Sequence, residues 1–419
     1  MTKKKLLEYL SSLLAYFLLS PIYATFVRKS GDIVGFCSDH GFGGNIKYLY
    51  EEMATYEGTR VFFVTGDKKQ LEKLKSSNIN AYYSRDIRNV SLFLKTDVWI
   101  VTQGSGEIPT TFRIREILKK VLNISFRPKH RGKWVIVWHG VSTKHSLTHL
   151  RRMFADYDLA FVPFDLSKPS SKKDKISDKI KPVGYPRTDP LVKRTLSREN
   201  LLKTLVLPVD KKNILYAPTW GQYHRNFLWE DKEVFEDIEE FCEKNNCSFL
   251  VRMHHAWRKR NPGRSEQLEK KMKEKKCMFD LSSNECADAQ HVLYVTDILI
   301  TDWSSIANDF ILLNRPILFL DLKHPPLESG DYPLTPNDRV GYIVKSKAEF
   351  FQKLQEAVDN PEIFEKLFGS KRMSVIKGIY TRLDGNSSRR CAQEIIKLLK
   401  DDSQKRDTKT YHSRMHALM

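Results

Sequence analysis

Short apolar runs recur along the chain and alternate with stretches whose apolar positions fall on one face of a helix. Ile33–Ser38, Val61–Thr65, Val98–Gln103, Trp134–His139 and Leu159–Phe164 are rich in β-branched and aromatic residues, as in strands buried on both faces. Helical spacing marks Gly44–Tyr56 and Thr110–Leu122 between them. A second set follows at Ile214–Pro218, Ser248–His254, Ile298–Thr301 and Ile317–Leu320, again with helical stretches between. Unbroken apolar strands alternating with helices predict parallel sheets covered on both sides. A chain of 419 residues suits two units of about 200 residues each better than one core. The expectation is an α/β protein of two Rossmann-like domains facing across a cleft, with boundaries at 30–195 and 196–400. Residues 165–182 are polar, basic and proline-bounded, which reads as a surface loop before the junction. No repeat of fixed period runs through the chain.

The ends differ from this pattern. Within residues 1–29, Leu6, Leu7, Leu10, Leu13, Leu14, Phe17 and Leu18 share one helical face behind Lys3, Lys4 and Lys5. Glu8, Ser11, Ser12 and Pro21 interrupt the run, so it suits a bilayer surface better than a span. No small-x-small cleavage site precedes Gly31. The expectation is an N-terminal amphipathic helix on an anionic membrane surface, with a core helix or a true anchor as the other readings. Residues 401–419 read as a basic tail.

Charge strengthens the case for an anionic partner. With 70 Lys and Arg against 51 Asp and Glu, the net charge is +19, above the magnitude of about 2–8 that serves solubility in a small domain. Nucleic acid, anionic lipid and phosphorylated substrates all fit that sign. The chain lacks an RNP aromatic sheet motif and a GXXG clamp, so no nucleic acid is expected. Residues 113–133 concentrate Arg113, Arg115, Lys119, Lys120, Arg127, Lys129, Arg131 and Lys133 against Glu116 alone, a stretch suited to an anionic surface. The six cysteines form no CxxC pair and no zinc-finger spacing with histidine, so they read as reduced thiols and no metal is assigned.

In open α/β sheets, ligands bind beyond the carboxyl ends of the strands, and unusual residues gather there. His139 ends a strand and Gly140 permits a sharp turn, placing an imidazole of near-neutral pKa where it can act as a base. Arg252 and His254 close SFLVRMH on one face of the strand, before a basic loop, and suit a diphosphate. Each histidine could equally be a hydrogen-bonded structural residue. Thr301 and Asp302 lead into Ser304, Ser305 and Asp309. Asp302 or Ser304 can cap the following helix, and the two serine hydroxyls with free N–H groups make a phosphate cradle; plain capping would need only one of them. Pro218 and Thr219 follow Tyr216, where an aromatic side chain could stack a base or simply pack. Gly44 and Asn45 end the glycine-rich GFCSDHGFGGN, which admits backbone close to a phosphate. Neither GxxxxGK[ST] nor GxGxxG occurs, which removes the main support for ATP-loop and NAD readings.

Taken in order, the turn at Gly44-Asn45, VWHG at 137–140, GYPRTD at 184–189, ILYAPTW at 214–220, VRMH at 251–254, DILITDWSSIANDFILLNRPILF at 297–319 and LDGNSSRR at 383–390 resemble the CDP-glycerol glycerophosphotransferases, the family of teichoic-acid primases, polymerases and related capsule enzymes. The resemblance covers roughly residues 30–395, and the segment at 297–319 is its most specific part. It implies a glycosyltransferase-B-like fold and transfer of a polyol phosphate from a CDP-activated donor to a hydroxyl, with release of CMP. CDP-glycerol is the leading donor, CDP-ribitol its rival, and a nucleotide-sugar glycosyltransferase the alternative on the same fold. The implied acceptor is lipid-linked or polymeric, and the implied location is peripheral, on the cytoplasmic face of the membrane. Carried over by position, His139 matches an acceptor-side histidine and His254 a donor-phosphate histidine. Arg252, Thr301, Asp302, Ser304, Ser305, Asp309, Pro218 and Thr219 fall to the donor, and Gly44, Asn45, Gly140 and Arg187 to the acceptor. Val141-Ser142-Thr143-Lys144 departs from the commoner small-Pro-Leu-Lys form after the histidine, and His255-Ala256-Trp257 departs from the usual continuation of VRMH. The short leading portion suits a primase or a compact capsule enzyme better than a long polymerase.

Overall fold

The apolar runs are short and rich in β-branched and aromatic residues, and they form strands whose backbone groups pair across a sheet buried on both faces. The computed structural model describes residues 32–38, 41–102, 132–141, 146–166, 176–219, 233–282, 286, 288–322 and 334–401. The expected N-terminal helix, most of the basic stretch at 113–133, the helix at Thr110–Leu122 and the tail after 401 lie outside these residues.

Seven strands make the first sheet: β1 (Asp32–Cys37), β2 (Thr59–Thr65), β3 (Ala81–Tyr83), β4 (Val98–Val101), β5 (Lys133–Val137), β6 (Leu159–Val162) and β7 (Ile180–Pro182). Their spatial order is β3-β2-β1-β4-β5-β6-β7, with every neighbouring pair parallel. The second sheet has six: β8 (Lys212–Tyr216), β9 (Cys247–Val251), β10 (Met278–Asp280), β11 (Ile298–Thr301), β12 (Ile317–Leu320) and β13 (Tyr342–Val344). It is also parallel, in the order β10-β9-β8-β11-β12-β13. Both sheets therefore reverse their winding direction once, between β1 and β4 and between β8 and β11, the crevices where doubly wound sheets take ligands.

Inner strands are buried along their length, as β4, β6, β9, β11 and β12 show. One face of the first sheet is aromatic. Trp99 stacks on Trp134 at 6.0 Å between centroids and meets Phe62 edge-on at 5.6 Å. A Cβ at Gly35 in β1 would come within 2.6 Å of the Trp99 ring, so that strand position must be glycine. The opposite face packs Val34, Phe36, Leu49, Phe63 and Val137 against Cys391, Ala392, Ile395 and Leu399. Those last four belong to the helix at 387–401. Chain order alone would group that helix with the second sheet, but it packs on the first.

The chain thus passes between the sheets twice, near 183–198 and near 380–387. The passages touch. Gly184 adopts φ +91°, and a Cβ there would meet Ser387 Oγ at 2.3 Å and the Arg382 carbonyl at 3.1 Å. Asp189 accepts from Ser387 N at 2.9 Å, from Ser388 N at 2.7 Å and from Ser388 Oγ at 2.8 Å, capping the returning helix. Arg390 Nε donates to the Val183 carbonyl at 2.9 Å. All six cysteines are buried, and none is joined in a disulfide.

Candidate active site

The two crevices face each other. At the first, the Ser38 and Thr102 hydroxyls beyond β1 and β4 lie 3.0 Å apart. Next to them, β5 ends in Trp138, His139 and Gly140. Asn45, on the helix Gly44–Met53, donates from Nδ2 to the Trp138 carbonyl at 2.9 Å and accepts from the Arg187 backbone N–H at 3.1 Å. Arg187 Nη1 donates to the His139 carbonyl. The backbone that carries the imidazole is therefore held from two sides. Gly44 takes the left-handed conformation, φ +53°, which starts that helix without a Cβ penalty.

At the second crevice, buried polar groups tie β8 to β11. Thr301 Oγ1 donates to the Ala217 carbonyl at 2.7 Å. Asp302 accepts from Thr219 N at 2.8 and 3.0 Å and from Thr219 Oγ1 at 2.5 Å. Thr219, Thr301 and Asp302 are thereby engaged in holding the turn that presents Pro218 and Ser304. Arg252, after β9, donates from Nη1 to the carbonyls of Leu281 at 2.6 Å and Cys286 at 2.8 Å. Burial pulls its pKa down, against the attraction of Cys286 and Asp288. Its guanidinium organises the loop beyond β10 while lining the cavity.

Between the crevices runs a buried clasp. Arg187 Nε and Nη2 meet Asp309 Oδ2 and Oδ1 at 2.6 and 3.0 Å, a bidentate pair. The side chains are 11% and 4% exposed. Asp309 also accepts from Gln290 Nε2 at 2.9 Å and from Tyr380 Oη at 3.2 Å. The Arg187 guanidinium lies 4.5 Å from the centre of the Tyr185 ring. Burial opposes charge on Arg187, but Asp309 outweighs it and raises the pKa. Burial, then Asp309, raises the Tyr380 phenol. A second bridge lies beside the first, where Asp288 Oδ2 accepts from Lys47 Nζ at 2.9 Å and Tyr48 Oη at 2.8 Å. His291 Nε2 stands 3.0 Å from the same Lys47 nitrogen.

These groups wall a cavity of about 240 Å³ lined by Gly44, Asn45, His139, Arg187, Pro218, Arg252, His254, Ser304, Ser305 and Asp309. Gly140 adjoins it. A Cβ there would sit 3.0 Å from Ser305 Oγ, so the histidine turn and the serine turn almost touch. His139, His254, Ser304 and Ser305 are partly exposed. Of the residues singled out from sequence, ten line this cavity, Gly140 borders it, and Thr219, Thr301 and Asp302 brace it from behind. Trp220 and residues 142–145 lie outside the described residues. Sequence reasoning did not single out Gln290, Tyr380, Tyr185, Lys47 or Asp288. Each lies on an ordinary helix or turn, and the contact that matters is distant in sequence. Among the described residues, no group of three or more His, Cys, Asp or Glu side chains is placed to hold a metal ion. The arrangement sets His139 on one wall and His254 with the two serine hydroxyls on the other. That is suited to removing a proton from one group and steadying a departing phosphate on the other.

A family model described as CDP-glycerol:poly(glycerophosphate) glycerophosphotransferase matches residues 22–397. The teichoic acid ribitol-phosphate polymerase TarL of Staphylococcus aureus is 26% identical over 409 residues, covering 91% of this chain and 66% of that protein. The teichoic acid glycerol-phosphate transferase of the same organism is 27% identical over 263 residues, covering 58% of this chain and 60% of that protein. The chain thus spans about two-thirds or less of these relatives' own lengths. Among solved structures, a variant of the wall teichoic acid polymerase TagF soaked with CDPG superposes with a TM-score of 0.64 at 18% identity, covering 96% of this chain and 99% of that one.

Proposed function

The chain belongs to the CDP-glycerol:poly(glycerophosphate) glycerophosphotransferase family, and from that premise we propose that it transfers glycerol phosphate from CDP-glycerol to a hydroxyl of a lipid-linked or polymer acceptor. CMP is released, and the product is a teichoic-acid-like or capsule polymer. One observation carries this reading: His139 from one sheet and His254, Ser304 and Ser305 from the other line a single cavity at both winding reversals.

The chemistry is displacement at phosphorus. The acceptor hydroxyl approaches from the His139 wall, and the imidazole takes its proton as the new O–P bond forms. The bond from the β-phosphorus to the bridging oxygen breaks, and the electron pair leaves on CMP. His254 and the Ser304 and Ser305 hydroxyls meet the charge on the diphosphate. Arg252 keeps the His254 strand end in register through the Leu281 and Cys286 carbonyls. Arg187 and Asp309 hold the two walls at a fixed separation. Among the described residues no helix is long and apolar enough to cross a membrane. The net charge of +19 supports peripheral docking on the cytoplasmic face, where anionic lipid and a lipid-linked acceptor would be found.

A CDP-ribitol donor is the second reading, favoured by the likeness to a relative named for ribitol phosphate. A donor screen that reads nucleotide release with a lipid-linked acceptor present tests all of this. CMP from CDP-glycerol is the expected result. CMP from CDP-ribitol alone would move the assignment to ribitol. A nucleoside diphosphate released from a sugar donor would replace it with glycosyl transfer.

A further inference from the structure

A second, smaller cavity opens on the other side of the serine turn. It measures about 40 Å³ and is lined by Val141, Trp303, Ser304, Ser305, Asp338 and Arg339, among others. By volume it holds roughly three waters, the scale of a short hydroxylated chain. Its polar wall is built. The Arg339 guanidinium lies 4.1 Å from the centre of the Trp303 ring, and Trp303 Nε1 is pinned to the Leu322 carbonyl at 3.0 Å. Asp321 at 3.5 Å and the Pro336 carbonyl at 3.3 Å hold the rest of the arginine. Its Nη1 is buried and, among the described residues, has no hydrogen-bond partner. A buried donor left without an acceptor is destabilising, so this edge of the guanidinium is organised for a ligand oxygen.

The stereochemistry of the reaction says which part of the donor goes there. In-line displacement places the acceptor hydroxyl and the CMP oxygen on opposite sides of the phosphorus. Both then lie along the large cavity, between the His139 wall and the His254 wall. The polyol is the remaining carbon-bearing substituent on that phosphorus and must leave to the side. The small cavity shares Ser304 and Ser305 with the large one, and Val141 closes it from the first sheet, one residue beyond Gly140. Resting on the function proposed above, we infer that this cavity is the subsite for the donor's polyol arm and that Arg339 Nη1 donates to one of its hydroxyls. Arg339 is then a specificity element distinct from His254 and the two serine hydroxyls, which meet the diphosphate.

Calorimetry with CDP, CDP-glycerol and CDP-ribitol, without acceptor, tests the assignment on the full chain. Arg339→Met keeps a long stem over Trp303 and removes the donors. It should weaken the CDP-polyol that the wild type binds by about tenfold and leave CDP within about twofold. Arg339→Lys, which keeps charge but not the fork, should fall between them. Melting curves of both variants establish that they are folded; if the methionine variant is not, the lysine variant carries the comparison. Equal weakening of CDP would overturn the proposal, because Arg339 would then serve the diphosphate. Unchanged affinities for all three ligands would also overturn it, as would an effect confined to the acceptor's KM. A wild type that binds neither CDP nor a CDP-polyol would instead refute the proposed function on which the subsite rests.

Discussion

Arg187→Met removes one half of the buried clasp and leaves Asp309 in place. The carboxylate is 4% exposed and, among the described residues, would keep the bond from Gln290 at 2.9 Å and a share of the Tyr380 hydroxyl, which lies 3.2 Å from it and 3.1 Å from the Asn308 carbonyl. Breaking a buried pair by deleting one partner costs about 3–5 kcal/mol, mostly from the charge left behind. The two neutral donors that remain offset part of this, so the expected loss lies near the lower end, about 3 kcal/mol. The double variant Arg187→Met/Asp309→Leu leaves no bare charge and should be more stable than Arg187→Met alone. Urea denaturation of the four proteins of this cycle gives the coupling directly. Turnover should fall in both arginine variants even when they are folded, because the His139 carbonyl loses its donor. A single-variant loss below about 1 kcal/mol would refute the reasoning. So would a double variant whose loss equals the sum of the two singles, since the residues would then not be coupled.

Other tests address the site residue by residue. His139→Ala should lower turnover by about 10²–10⁴-fold while sparing donor affinity; loss of donor binding in this variant would put the residue on the wrong substrate. His254→Ala should weaken donor binding and slow CMP release from donor hydrolysis without acceptor, and normal hydrolysis would remove it from the diphosphate. Replacing Ser304 and Ser305 together with alanine should weaken the donor by about 1.5–3 kcal/mol per lost charged hydrogen bond, read by calorimetry, where no change would exclude the cradle. Burial depresses the His291 pKa despite the attraction of Asp288, with Lys47 adding to the depression. As pH falls, the unfolded chain takes up that proton first, so the contribution is present above about pH 6.5 and lost below it. Melting temperatures of wild type and His291→Gln across about pH 5–8 should therefore converge toward the acid end, and parallel curves would count against this role.

The strands that were legible in the sequence are those inside the sheets. The four that were not, Ala81–Tyr83, Ile180–Pro182, Met278–Asp280 and Tyr342–Val344, are the four sheet edges. Each has three residues and is partly open to solvent, so it carries neither the length nor the unbroken apolar run that marks a strand. His139, His254 and Ser304 stood out because a polar residue that ends a buried strand breaks the pattern at the place where ligands bind. The pairing of Arg187 with Asp309 left no such mark. It joins positions 122 residues apart, and nothing local to either residue names the other. Arg252 illustrates the same limit differently: its position was visible, but its engagement with the carbonyls of Leu281 and Cys286 depends on loops folded back from elsewhere.

The double passage of the chain between the sheets has a mechanical consequence. One covalent link would leave the halves free to swing, twist and slide. Two links bound side by side, through Asp189 to Ser387 and Ser388 and through Arg390 to Val183, form a single hinge line. Twisting or sliding would have to tear those bonds, whereas rotation about the line disturbs them least. Any opening of the cleft is therefore constrained to rotation about that line, as a book turns on a stitched spine. Arg187–Asp309 and Lys47–Asp288 act as its clasps, so such a rotation would have to part both pairs before it could carry the His139 turn away from Ser305.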